Sequence, residues 1–173
     1  MSVILETRRL RLRELESGDL DFVATMLADP DVMRFYPKPL GREESREWIE
    51  RQLRRYEDNG HGLWLVEDRQ SAAPVGQVGL LLQEVEGDWE AEVGYLIHRP
   101  FWRRGYATEA GLGVREHAFG VRGERRVISL IRPENLPSQG VARNLGMAPE
   151  REVRFRGLPH VVFSVRAPSD RTA

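Results

Sequence analysis

The sequence contains no cysteine among its 173 residues. Disulfides, cysteine nucleophiles and thiolate metal sites are therefore excluded. An excess of charge of one sign is missing too: 26 basic residues stand against 27 acidic ones. That balance gives no support for a nucleic-acid or membrane-surface role, and neither partner is expected. No apolar run approaches the length of a membrane span. Residues 1–13 are charged and lack the apolar core of a signal peptide, so a cytoplasmic location is expected. His61, His98, His117 and His160 show no close metal-ligand spacing, so no metal is expected. There is no Gly-x-x-x-x-Gly-Lys-Ser/Thr loop, which argues against a nucleotide phosphotransferase. Repeats, low-complexity tracts and linkers are absent as well. The length suits one domain with a sizeable core, residues 1–173, whose polar tail 168–173 is expected to fray.

What is present reads as alternating elements. Leu10 and Leu12 alternate with arginines, as in a half-exposed strand. Ser17 is placed to cap a helix carrying Leu20, Val23 and Leu27 on one face, ended by Asp29-Pro30. An irregular loop spans 31–42. A second helix over 43–58 has Trp48, Ile49, Gln52, Leu53 and Tyr56 as its inner stripe. Glu47 with Arg51, and Glu50 with Arg54, are spaced as outer i, i+4 pairs. Three strands follow over 63–67, 75–83 and 89–98. A helix over 105–120, a compact strand over 127–131, a short helix ending near Gly146 and a last strand over 161–165 complete the chain. This order predicts an α/β layer architecture with helices on both faces of one sheet.

The densest chemical signal lies between Tyr95 and Ala110. An apolar run feeds a turn containing Pro100, Arg103, Arg104 and Gly105, and helical periodicity begins at once. Unpaired N–H groups converge at a helix start, where the helix dipole favours anions. Gly105 lets the backbone approach a phosphate closely.

This segment resembles the acyl-CoA-binding motif of the GNAT acetyltransferase superfamily, Gln/Arg-x-x-Gly-x-Gly/Ala. Gly105 and Ala107 match, while Trp102 stands at the Gln/Arg place. The run Trp-x-x-Gly-Tyr-Ala-Thr-Glu-Ala resembles the Rim-type ribosomal-protein N-acetyltransferase branch. So do the start from Leu5 to Arg13 and the pair Asn135-Leu136-Pro137-Ser138 and Leu145-Gly146-Met147. The likeness implies the GNAT fold, with a mixed central sheet splayed between the fourth and fifth strands. It implies transfer of an acetyl group from acetyl-CoA to a primary amine, on a protein N-terminus or a small molecule. A non-catalytic acyl-CoA sensor of the same fold is the alternative, and a homodimer stays open.

Carried over residue by residue, the resemblance assigns the pantetheine arm to Leu96, Ile97 and His98. The pyrophosphate falls to Arg103, Arg104, Gly105, Tyr106, Ala107 and Thr108. Asn135 and Ser138 hold further cofactor positions, or serve as a helix cap and first turn. Glu92 stands where the Rim-type branch carries a glutamate, as general base or as the partner of an arginine. Glu109 reads as a first-turn helix residue. The tyrosine that many members use as acid is replaced by Ala142. Ser138, a water or another tyrosine must protonate the thiolate, unless no acid is needed. Phe35, Tyr36, Trp64, Trp89 and His160 are candidates to line the amine side, each with packing as its other reading.

Overall fold

Period-two alternation decides the centre of this protein. In β3 (Leu63–Asp68), Trp64 and Val66 point to one core while Leu65 points to the other. Such a strand, buried on both sides, needs helices on both faces. The computed structural model describes residues 2–169 and shows that arrangement. Its sheet has eight strands in the order β1-β2-β3-β4-β5-β6-β8-β7. They are β1 (Val3–Glu6), β2 (Leu10–Arg13), β3, β4 (Pro74–Val85), β5 (Asp88–Ile97), β6 (Arg126–Ile131), β7 (Ala148–Phe155) and β8 (Leu158–Arg166). All neighbours run antiparallel except β5 and β6, which run parallel.

Two helices cover each face. On one side α1 (Leu20–Ala28) and α2 (Arg42–Asn59) enclose Val23, Met26, Leu27, Ile49 and Leu65. On the other, α3 (Tyr106–Gly120) lays Tyr106, Ala110, Val114 and Ala118 against Leu10, Leu12, Trp64 and Val93. α4 (Leu136–Asn144) adds buried Ala142 to that core. Burying one such Leu or Val contributes about 1.5–3 kcal/mol. Close approach of strands adds a steric requirement at Gly79. A Cβ there would lie 2.0 Å from the Gly62 carbonyl oxygen.

The structure differs from the sequence reading at several points. Val3–Glu6 forms its own edge strand, so the strands read as fourth and fifth are β5 and β6, and the splay lies between them as expected. Leu10 and Leu12 are fully buried, and Arg13 is nearly so because Asp19 and Glu67 bind its guanidinium at 2.8 and 2.9 Å. Ser17 does not cap α1. It lies inside a short 3₁₀ turn, and the Asp19 carboxylate accepts from the Glu16 N–H at 2.7 Å instead. Neither Glu47–Arg51 nor Glu50–Arg54 forms an ion pair; the Arg51 guanidinium stacks over Trp48, 5.8 Å from the ring centre. The last strand starts three residues earlier than read, and β7 precedes it as a further edge strand. Of the tail expected to fray, residues 170–173 lie outside the described residues. No helix among the described residues is long and apolar enough to cross a membrane.

Candidate active site

The parallel pairing of β5 and β6 holds at one register point, Glu92 opposite Ile128. In a continued parallel ladder the next rung would run from the Leu130 N–H to the Val93 carbonyl. Side chains take both groups instead. The Leu130 N–H donates to Glu92 Oε2 at 3.0 Å, and Ser129 Oγ donates to the Val93 carbonyl at 2.7 Å. The sheet opens from there without leaving those two polar groups unpaired, which would be costly.

Glu92 is 8% exposed and also accepts from Gln83 Nε2 at 3.1 Å. No arginine among the described residues forms an ion pair with it, so the arginine-partner reading is corrected; an amide and a backbone N–H fill that place. Burial raises its pKa above the ordinary 4.5, against those two bonds, which favour the carboxylate. By alternation Glu92 faces α1 and α2, while Val93, Tyr95 and Ile97 face α3 and α4. The Tyr95 hydroxyl donates to the Ser138 carbonyl at 2.6 Å. Burial and the nearby Glu92 charge keep that phenol protonated.

The opening exposes the backbone edge of β5. The His98 N–H bonds the Val75 carbonyl at 2.9 Å, and the Leu96 carbonyl lies against Gly76, so both turn towards β4. The His98 carbonyl accepts from the Phe101 N–H at 2.9 Å. The edge towards β6 therefore belongs to Tyr95 and Ile97. Of the three residues carried over for the pantetheine arm, Ile97 alone offers its backbone to the gap. Its carbonyl already accepts from Trp102 Nε1 at 2.7 Å, which gives the residue at the Gln/Arg place a structural use.

Just beyond lies the turn. Gly105 is the N-cap of α3 with φ 75°, a left-handed conformation that glycine adopts without strain. The first bond of α3 runs from the Glu109 N–H to the Gly105 carbonyl at 3.0 Å. The N–H groups of Tyr106, Ala107 and Thr108 have no helical acceptor. Arg103 and Arg104 are exposed beside them without an ion pair among the described residues, the latter stacked over Phe101 at 5.4 Å. These features fit a pyrophosphate.

Sequence reasoning missed Arg9 at this turn. Its guanidinium lies 4.6 Å from the Tyr106 ring centre and is bound by Glu109 at 2.8 Å. Glu109 also accepts from Thr7 Oγ1 at 2.6 Å and from the Arg9 N–H at 3.1 Å. Burial opposes its charge, yet these bonds hold its carboxyl below the ordinary range. Glu109 thus latches the β1–β2 turn to the start of α3. No local signal in the sequence announces a contact of that span.

Asn135 caps α4, its Oδ1 accepting from the Ser138 N–H at 3.2 Å. The Ser138 hydroxyl has no partner among the described residues. Ala142 is fully buried, as is nearly all of Met147. Among the amine-side candidates, Trp64 is corrected: it is fully buried under α3, edge-on to His117 at 5.5 Å. Trp89 is 66% exposed beside the β4–β5 turn, opposite Glu84 and three residues before Glu92. Tyr36 is 42% exposed and lies edge-on to Trp48, with 6.3 Å between ring centres. Phe35 packs under the Arg34 guanidinium, and His160 lies edge-on to Phe155 at 5.5 Å. No three metal-ligating side chains come together among the described residues. A separate concavity of about 410 Å³ lies between α4 and the β7–β8 hairpin, lined by Gln139, Arg143 and Phe163, and holds none of the site residues above.

A family model described as an acetyltransferase (GNAT) domain matches residues 9–148. The chain belongs to the GNAT acetyltransferase family. It is an acyltransferase. The chain is 32% identical over 160 residues to the uncharacterised protein YkkB of Bacillus subtilis (strain 168), covering 92% of this chain and 93% of that one. The fold matches an acetyltransferase from Agrobacterium tumefaciens str. C58 with a TM-score of 0.82 at 24% identity, over 96% and 95% of the two chains. It also matches RimL, a ribosomal L7/L12 alpha-N-protein acetyltransferase in complex with coenzyme A. There the TM-score is 0.78 at 15% identity, over 95% of this chain and 98% of that one.

Proposed function

We propose that this acetyltransferase moves an acetyl group from acetyl-CoA to a primary amine by direct attack in a ternary complex. The observation that carries the reading is the broken rung at Glu92, which opens β5 from β6 beside a helix start with unpaired N–H groups. Bound acetyl-CoA supplies an electrophilic thioester carbonyl and a thiol leaving group. The turn from Arg103 to Thr108 holds its pyrophosphate through N–H groups and positive charge. The open edge at Tyr95 and Ile97 supplies donors and acceptors for the extended arm, and Asn135 and Ser138 border it from α4. A bound amine and thioester held in line lower the barrier by several kcal/mol.

Glu92 takes the proton of the attacking amine, directly or through one water. Burial raises its proton affinity, which favours its use as a base. The Ser138 hydroxyl, on the α4 side and without a partner among the described residues, returns a proton to the leaving sulfur. The acceptor enters on the α1–α2 face, past Tyr36. The Rim-type motifs support an acceptor amine on a protein N-terminus, and small amines are the other class. We place the reaction in the cytoplasm, with residues 1–173 acting as one domain.

The test is thiol release from acetyl-CoA, screened against peptide N-termini and small amines. Release that depends on an amine supports the reading. Tight CoA binding without transfer to any amine would instead identify a sensor.

A further inference from the structure

Among the described residues, three arginines on the acceptor side of Glu92 form no ion pair. Arg51 and Arg55 lie one turn apart on α2, on a shared face. Arg156 lies in the two-residue turn between β7 and β8. That turn places Arg156 and Gly157 at φ 51° and 75°, a tight hairpin tip. The Arg156 guanidinium stacks over Phe155 at 5.1 Å.

These side chains converge although they come from distant segments. Arg156 acts electrostatically on Glu92, Tyr36 and Arg55, and Glu92 acts on Arg55. Arg55 is half-buried, yet its one bond among the described residues is a long 3.3 Å contact to Gln52 Oε1. That same oxygen already accepts from the Leu63 N–H at 3.0 Å. Glu92 is the one carboxylate acting on Arg55, against two guanidinium groups, so positive charge stays in excess. Many arginines of this chain are matched to carboxylates, Arg13 and Arg126 twice over. Unpaired surface arginines occur elsewhere, but Arg55 and Arg156 both act on one buried carboxylate, Glu92, and Arg51 acts on Arg55. Partly desolvated like charges sharing a single carboxylate are costly, and an oxyanion from outside would relieve them.

Resting on the acetyltransferase reading, we propose that the acceptor amine carries an oxyanion, a carboxylate in the simplest case, held by Arg55 and Arg156 with Arg51 at the rim. The charge pattern also serves the chemistry. Nearby guanidinium groups disfavour an ammonium, so the bound amine loses its proton more readily. A simple cationic amine is repelled, whereas one tethered to an oxyanion is drawn in.

The test uses two matched pairs of acceptors with acetyl-CoA. L-Glutamate is compared with L-glutamine amide, and the peptide amide Ser-Glu-Asp with Ser-Gln-Asn, so that small and peptide carboxylates are read separately. The parent should favour the acidic member of at least one pair. The acidic-to-neutral ratio of kcat/KM should fall about 10- to 100-fold in Arg55→Gln and in Arg156→Asn. Asn tolerates the left-handed turn, so the hairpin is kept. Arg156→Lys should recover part of the ratio, and CoA affinity should match the parent in every variant. Equal rates within both pairs, or a ratio unmoved by the variants, would overturn the proposal. The same four acceptors are titrated calorimetrically into the CoA-loaded protein. If no acceptor releases thiol, acidic-selective binding that is lost in the variants keeps the oxyanion site while the transfer reading falls. Absent or unselective binding sinks the site.

Discussion

At Glu92 one carboxylate serves both the opening of the sheet and the chemistry beside it. Gln can keep the bond from the Leu130 N–H, and Gln83 can turn its amide to suit, so Glu92→Gln should fold. Its effect on rate and its effect on stability separate by pH. Amine-dependent transfer should fall by roughly 10²- to 10⁴-fold at neutral pH and recover at high pH, where free amine is abundant. A pH–rate profile that overlays the parent would remove Glu92 from the chemistry. For stability, burial raises the folded-state pKa above 4.5. Between the two values the folded chain holds more protons than the unfolded chain, so this contribution is present at low pH and is lost as pH rises. The melting temperature of Glu92→Gln relative to the parent should therefore improve from pH 4 to pH 7. Asn135 gives a second residue-scale test. Asn135→Ala removes the cap on the Ser138 N–H and should cost about 1 kcal/mol, read by urea unfolding. Asn135→Ser restores a cap; if it regains stability but not CoA affinity, the amide also contacts the cofactor.

Among the elements, the turn before α3 was legible because its signal is local: a strand end, two arginines, a glycine and a helix start lie within a few residues. The inner stripe of α2 was legible for the same reason, through its 3.6-residue period. Edge strands were not. Val3–Glu6 has no glycine or proline before β2 to mark the break, and β7 carries Glu150, Arg151, Glu152 and Arg154 in place of an apolar alternation. Glu92 could be singled out, but its partners Gln83 and Leu130 and its broken rung depend on pairing that no single segment encodes. The convergence of Arg55 with Arg156 is hidden for the same reason. Two element-scale outcomes follow. Gly105→Glu should abolish CoA binding in calorimetry while the chain stays folded, since its bulk and charge enter the turn. Gly79→Ala should destabilise by about 1–3 kcal/mol in chemical unfolding, because the 2.0 Å approach to the Gly62 carbonyl forces β3 and β4 apart.

For the molecule as a whole, the opened sheet predicts a measurable gain on ligation. CoA at 100 times its Kd should stabilise the fold by about 2.7 kcal/mol. For a chain of this size that is a rise in Tm of roughly 5–10 °C. Differential scanning fluorimetry should show the rise in the parent and none in Gly105→Glu. The latch at Glu109 adds a constraint in time. Thr7 and Glu109 are 102 residues apart in the chain, and they meet only after the intervening strands have found their order. At about 5–20 residues per second of synthesis, the N-terminal segment waits roughly 5–20 s for its partner to be made. Competence to bind the cofactor should therefore emerge late in folding, after most of the helical signal, and Thr7→Val should widen that delay.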